Sequence, residues 1–157
     1  MIQRIQTIWL FLASLVIFGL FLFPYLNYND LVGLGKNLMV TGQYAKANNE
    51  MVRQEFFLLQ TIVTVLVALI PILIIFQYKN RKLQLRLIYV SILSILLLAA
   101  YLLFTANTVL SGISQAVTST NIGVGLFLLP VSIICLALAI GGIRKDEKLI
   151  QSANRLR

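Results

Sequence analysis

The chain has 157 residues, of which 59% are apolar and only 11% are charged. Soluble domains carry about 25% charged residues, so a soluble fold of this composition would expose too much apolar surface to water. The net charge of +8 would suit a nucleic acid, but the 13 lysines and arginines lie between apolar blocks and at the chain ends, without interleaved stacking aromatics. Composition therefore favours an integral membrane protein and argues against a nucleic-acid partner.

The first predicted span covers residues 5–25. Its apolar run is longer than the hydrophobic region of a signal peptide, which is about 7–15 residues. The run ends in the bulky sequence Phe-Leu-Phe-Pro-Tyr25, where a signal peptidase would need small residues. We therefore predict a retained membrane helix.

Residues 27–55 follow as the one sizeable polar segment, and they carry equal numbers of acidic and basic residues. Asparagines and glycines supply turn residues along this segment. Within it we expect a short strand over 38–44 and a short helix over 44–53. We predict that the whole segment is a loop on the outer side of the membrane.

Three more apolar stretches, residues 56–76, 87–104 and 122–143, are predicted spans. The first of these would reach roughly 32 Å as a helix, enough to cross a hydrocarbon core of about 30 Å. Residues 105–121 are uncharged, and their helical spacing of apolar residues predicts a helical extension at the outer interface. The predicted fold is an all-α four-helix transmembrane bundle that forms one domain over residues 1–157.

Two basic segments set the predicted orientation: a short loop, residues 77–86, and an amphipathic tail, residues 144–157. Four spans place both segments and Arg4 on one side, which then holds ten of the 13 lysines and arginines. By the positive-inside rule, both termini are cytoplasmic. We expect the following basic residues to contact anionic lipid headgroups or to dock a partner: Lys79, Arg81, Lys82, Arg86, Arg144, Lys145, Lys148, Arg155 and Arg157.

The predicted spans contain no acidic or basic residue, and the chain has no histidine and only one cysteine, Cys135. Proton-coupled transport and intramembrane catalysis rely on such side chains. We therefore predict no catalytic, cofactor-binding or metal-binding residue and a non-enzymatic protein. Ala137 and Gly141, four residues apart, predict close packing against a second helix, and we favour a helix of the same bundle over that of a partner.

Three stretches carry a family resemblance: Met-Ile-Gln-Arg-Ile-Gln-Thr7, Arg81-Lys-Leu-Gln-Leu-Arg86, and Ile143-Arg-Lys-Asp-Glu-Lys-Leu149 continuing to Arg155-Leu-Arg157. Together they resemble a family of small four-span inner-membrane proteins from Bacteroidota that has no assigned activity. The resemblance covers the whole chain. It implies a multi-pass protein of a bacterial cytoplasmic membrane, and it implies no active residue and no cofactor.

These observations lead to two functional hypotheses. The first is an accessory or scaffold subunit of a larger bacterial envelope complex, bound to a membrane-protein partner and to the anionic inner leaflet. The alternative is a small uncoupled transporter or channel that acts as a homo-oligomer. Such a channel would need a polar path through the bundle, for which the sequence offers Thr61, Thr64, Ser91 and Ser94.

Overall fold

Four α-helices and a four-stranded sheet make up the described part of the chain. The computed structural model describes residues 3–30, 33–47, 50–78 and 80–155, with the backbone alone at 3–5, 46, 47, 50, 51, 119 and 147–155. The helices are α1 (Gln3–Phe18, continued by a 3₁₀ turn at Gly19–Phe21), α2 (Leu58–Phe76), α3 (Arg81–Ser111) and α4 (Val124–Arg155). The strands are β1 (Leu26–Asn29), β2 (Gly35–Met39), β3 (Gly42–Ala47) and β4 (Glu50–Phe56).

Three of the helices are long and apolar enough to cross a membrane. The qualifying stretches are Leu58–Phe76, Arg81–Ser111 and Val124–Asp146, and a shorter apolar helix runs over Gln6–Phe21. Large apolar side chains such as Leu97 and Phe104 are exposed on the outside of the bundle. A helix that is apolar on every face suits a lipid environment, where the outward face needs no water.

The helices pack in a ring in which α1 contacts α2 and α4, and α3 completes the ring between α2 and α4. On α3 the buried positions recur every three or four residues, at Ile88, Ser91, Ile95, Leu98 and Leu102. This spacing places them on one helical face, turned into the bundle. The most extensive helix–helix packing is that of α1 on α4.

The four strands form an antiparallel sheet in the order β1-β2-β3-β4. The predicted all-α fold is therefore wrong in this segment, and so is the short helix expected over 44–53. That stretch contains good helix formers, but pairing between β3 and β4 overrides their intrinsic preference. The strand expected over 38–44 also differs, because this stretch turns between Met39 and Gly42 and joins β2 to β3.

The connection between α3 and α4 returns to the first strand. Ile122 forms a β-bridge with Leu26, and the Gly123 amide donates to the Tyr25 carbonyl at 2.9 Å. Here the helical extension predicted over 105–121 is wrong in its second half. The helix ends at Ser111, and Ser114 has a φ of 56°, which is incompatible with a continuing right-handed helix.

The basic loop and tail are also more helical than predicted. Only a short turn separates α2 from α3, and the Asn80 side chain caps the first turn of α3 by accepting from the Leu83 amide at 3.4 Å. Residues 81–86 of the predicted loop are therefore helical. The tail is a direct continuation of α4, which runs unbroken to Arg155, rather than a separate helix.

Candidate functional site

The two basic segments meet at one end of the bundle, which we call the basic end and define by Arg81, Lys82, Arg86, Arg144 and Lys145. The first three lie on the opening turns of α3, and the other two lie on α4. The guanidinium of Arg144 donates to the Tyr89 hydroxyl at 2.5 Å, which joins the two helices. The predicted site residues from loop and tail thus lie at the same end of the bundle, and the contact that joins their helices is made by Tyr89.

The remaining predicted site residues can be placed only in part. Lys148 and Arg155 lie on α4, for which the backbone alone is described at these positions, and Lys79 and Arg157 lie outside the described residues. Lys82, Arg86, Arg144 and Lys145 are exposed, whereas Arg81 is half-buried. Its Nη1 atom is buried and has no hydrogen-bond partner among the described residues.

A buried polar contact that the sequence did not predict lies beside the basic end. The Gln6 side-chain amide donates to the Asp146 carboxylate at 2.6 Å, and both residues are only 7% exposed. This contact joins α1 to α4. The signal was present in the sequence, because Asp146 continues the spacing of Ala139 and Ile143, both buried on the face of α4 that packs into the bundle.

The small-residue pair on α4 faces outward. Ala137 and Gly141 are both exposed, and a Cβ atom added at Gly141 would meet no described atom within 4 Å. The prediction that this pair seats a helix of the same bundle is therefore wrong for the described residues. The neighbouring Gly142 takes that role, because a Cβ there would lie 2.9 Å from Cγ of Gln6 on α1.

The polar side chains predicted to line a transport path mostly form hydrogen bonds with main-chain carbonyls of their own helices. Thr64 donates to the Gln60 carbonyl at 2.8 Å, and Ser94 donates to the Ser91 carbonyl at 2.8 Å. Thr61 donates to the Phe57 carbonyl at 2.8 Å and lies 3.3 Å from the Val40 carbonyl. The groove between α2 and α3 is lined almost entirely by apolar side chains.

Besides the Arg81 Nη1 atom, two buried side-chain atoms have no hydrogen-bond partner among the described residues. They are the Gln60 Oε1 and the Ser91 Oγ atoms. The Gln60 amide nitrogen lies 3.4 Å from the Tyr25 hydroxyl, at the end of the bundle next to the sheet. Unpaired buried polar atoms are uncommon and call for a physical explanation, such as water or a ligand.

The opposite end of the bundle, which we call the sheet end, carries the four strands and residues 112–123. It contains an ion pair in which the Lys36 amino group lies 2.7 Å from the Asp30 carboxylate. The hydrogen bond to Asp30 raises the pKa of Lys36, and burial raises the pKa of the Tyr28 phenol. Within the described residues, no group of three or more acidic, histidine or cysteine side chains is placed to hold a metal.

Taken together, the fold is that of a helical protein suited to a membrane, with a small sheet at one end and basic helix ends at the other. The chain belongs to the family described as domain of unknown function DUF4293, whose model matches residues 2–156. This match confirms the prediction that the chain belongs to a family without an assigned activity. Comparison with curated proteins and with solved structures gives no match.

Proposed function

We propose that this chain is a non-enzymatic, four-span protein of a bacterial cytoplasmic membrane, with its basic end and both termini in the cytoplasm. In this proposal it serves as an accessory or scaffold subunit of a larger envelope complex. The sheet end would then face the periplasm. Support for the orientation comes from the concentration of basic residues at one end, which the positive-inside rule assigns to the cytoplasm.

The observation that carries the proposal is the contact between Arg144 and Tyr89. It joins α3 to α4 at the end of the bundle where the exposed basic residues lie, and this supports a shared basic surface. The nearby Asp146 carboxylate is buried against Gln6 and therefore leaves these charges available. Such a surface suits anionic lipid headgroups, each basic residue contributing about 1 kcal/mol near an anionic leaflet, and it suits an acidic face of a protein partner.

The exposed pair Ala137 and Gly141 supports the same proposal within the membrane. Small residues four apart allow two helix backbones to approach closely, and van der Waals packing is a main source of helix association in lipid. Because no helix of the described bundle covers this pair, a partner helix has room to do so.

The test is recovery of the complex from membranes by a tag on the chain. We expect a partner, identified by mass spectrometry, to be retained by the wild type and lost in the double variant Lys82→Gln, Arg86→Gln. The matched control is Lys46→Gln, Arg53→Gln, which removes the same charge from the sheet end and should retain the partner. Purification of the wild type alone, or equal losses in both variants, would contradict the proposal.

The alternative, a small uncoupled transporter or channel acting as a homo-oligomer, is favoured by one observation. Gln60 and Ser91 each leave a buried polar atom without a partner among the described residues, which water or a solute would satisfy. Proteoliposomes containing the purified chain separate the two functions. Solute flux above that of empty vesicles, reduced by Ser91→Ala, would support the alternative, whereas an accessory subunit gives no flux.

A further inference from the structure

An open cavity of about 400 Å³ lies at the sheet end, away from the basic end. Its lining includes four asparagines, together with one threonine and one glycine: Asn27, Asn29, Asn37, Asn121, Thr120 and Gly35. Ligand pockets in proteins commonly measure about 300–1,000 Å³, so the cavity suits a small ligand.

One wall of the cavity is the polar face of β1 and β2. Along β1 the residues alternate, with Leu26 and Tyr28 buried in the core and Asn27 and Asn29 exposed. The strand register places Asn37 directly opposite Asn27 and Gly35 opposite Asn29. The side chains of Asn27, Asn29 and Asn37 thus share one face of the two paired strands. Gly35 has no side chain, and this leaves open space beside Asn29.

The other wall comes from a distant part of the sequence. Thr120 and Asn121 belong to the connection that leads into α4, and the bridge between Leu26 and Ile122 fixes this connection against β1. The hydrogen bond from the Gly123 amide to the Tyr25 carbonyl adds a second backbone contact. Both walls are therefore held by main-chain bonds, and the cavity is formed before any ligand binds.

These asparagines have no evident structural task. Asparagine is unfavourable in strands, where Asn27, Asn29 and Asn37 lie and where threonine would solvate an exposed face at lower cost. None of the four amide side chains forms a hydrogen bond with another described residue. Asparagines that are unfavourable for a strand and that stabilise no neighbouring residue are expected at a binding surface.

The chemistry of the lining selects the class of ligand. Each amide offers one acceptor oxygen and two N–H donors, so neighbouring amides can both donate to and accept from hydroxyl groups. The described lining contains no carboxylate to hold a cation, and the positive charge of Lys36 is already paired with Asp30. We propose that this amide-lined cavity binds a short neutral saccharide through hydrogen bonds from Asn27, Asn37 and Asn121.

The binding experiment uses the full chain in nanodiscs, prepared without alkyl maltosides or glucosides because their headgroups would occupy a saccharide site. Isothermal titration calorimetry with N,N′-diacetylchitobiose and with maltose supplies the neutral probes, and digalacturonic acid supplies an anionic probe. We expect at least one neutral disaccharide to bind, and to bind more tightly than the uronic acid.

Three variants and a control make the test specific to the cavity. Asn37→Ala and Asn121→Ala should each weaken binding at least fivefold. Gly35→Val should abolish it, because a Cβ there is accommodated, 3.9 Å from the Asn29 Oδ1 atom, while the added methyls take the space beside the Asn29 amide and favour the strand. Gln54→Ala removes an exposed amide on β4, outside the cavity, and should leave binding unchanged.

Thermal unfolding of each variant, followed by circular dichroism, separates loss of binding from loss of fold. Loss of binding in a Gly35→Val protein that unfolds at or above the wild-type temperature supports the site. The proposal is overturned if the wild type binds neither neutral disaccharide, if digalacturonic acid binds more tightly, or if binding survives in a folded Gly35→Val variant.

Discussion

The hydroxyls of Ser14 and Ser91 are both buried within the bundle, but their surroundings differ. Ser14 on α1 donates to the Ala68 carbonyl of α2 at 2.7 Å. The Ser91 Oγ atom has no partner among the described residues. Interhelical hydrogen bonds in membranes contribute about 0.6 kcal/mol on average, whereas an unpaired buried hydroxyl costs about 1–3 kcal/mol. Two chemically identical side chains should therefore respond oppositely to truncation.

We predict that Ser14→Ala lowers the free energy of unfolding by about 0.5–1 kcal/mol, while Ser91→Ala leaves it unchanged or raises it by about 1 kcal/mol. The measurement is denaturation in mixed micelles by titration with sodium dodecyl sulfate, followed by circular dichroism. A destabilising Ser91→Ala would mean that its hydroxyl has a partner, such as a bound water or solute.

The ion pair and the buried phenol at the sheet end predict a loss of stability in alkaline solution. Both Lys36 and Tyr28 have a folded pKa raised above the unfolded value, so their stabilisation is fully present below that unfolded value. It is lost as pH rises through the folded pKa. We expect the unfolding temperature to be constant between about pH 7 and 9 and to fall above about pH 10.

The variant Tyr28→Phe checks this prediction, because it removes the titration of this buried phenol. The fall in unfolding temperature above about pH 10 should be shallower than in the wild type. Tyr78→Phe is the matched control, since that phenol is exposed just beyond the end of α2. An identical alkaline slope in the wild type and in Tyr28→Phe would show that the burial of Tyr28 does not contribute.

At the scale of whole elements, the apolar helices could be predicted from the sequence and the sheet could not. The span predicted over 56–76 matches Leu58–Phe76 closely, because a long uncharged run has few alternatives in a bilayer. The span predicted over 87–104 is shorter than the observed helix, Arg81–Ser111. Hydrophobicity identifies the apolar stretch of a helix and does not show where the helix begins or ends.

The sheet depends on pairing between strands, and its local composition is ambiguous. The residues of the two proposed sites divide in the same way. The basic residues were found because charge is visible in a sequence, whereas the amides of Asn27 and Asn121 meet only through the bridge at Ile122. Contacts between residues so far apart leave little trace in one sequence.

The junction between the first strand and α4 depends on two glycines. A Cβ at Gly123 would collide with the Pro24 carbonyl, and one at Gly125 would lie 2.7 Å from the Phe23 carbonyl oxygen. We predict that Gly123→Ala destabilises the protein by about 2 kcal/mol or more, because the backbone on either side must move. The same denaturation assay measures it.

The matched control for this change is Gly141→Ala. No described atom lies within 4 Å of the Cβ that it adds, and alanine is favoured over glycine inside a helix by about 1 kcal/mol. This variant should be neutral or slightly stabilising. Equal destabilisation by both variants would show that the close approach at Gly123 is not maintained in the folded protein.

At the scale of the whole molecule, the two ends of the bundle differ in charge and in structure, and they define a testable orientation. Cys135 is the only cysteine and is buried, so a Cys135→Ala background carries no reactive thiol. Single cysteines can then report each end: Gln54→Cys on β4 and Lys82→Cys on α3. Both positions are exposed.

We predict that a membrane-impermeant maleimide labels Gln54→Cys in spheroplasts with an intact inner membrane, and labels Lys82→Cys only after permeabilisation. This result follows if the basic end is cytoplasmic. Labelling of Lys82→Cys alone in intact spheroplasts would reverse the orientation, and labelling of both would show that α2 does not span the membrane.

The extensive contact between α1 and α4 has a consequence for biogenesis. These helices come from opposite ends of the chain, so α1 has left the ribosome long before α4 has been synthesised. Until then Gln6 lacks its carboxylate acceptor, and the Tyr25 carbonyl lacks the Gly123 amide. During synthesis the helix bundle is therefore incomplete, as is common for partly folded chains. Its unsatisfied polar groups then need temporary partners, such as an insertase or lipid headgroups. A chain truncated before the Gly123 amide and α4 would therefore keep Gln6 and the Tyr25 carbonyl without these partners.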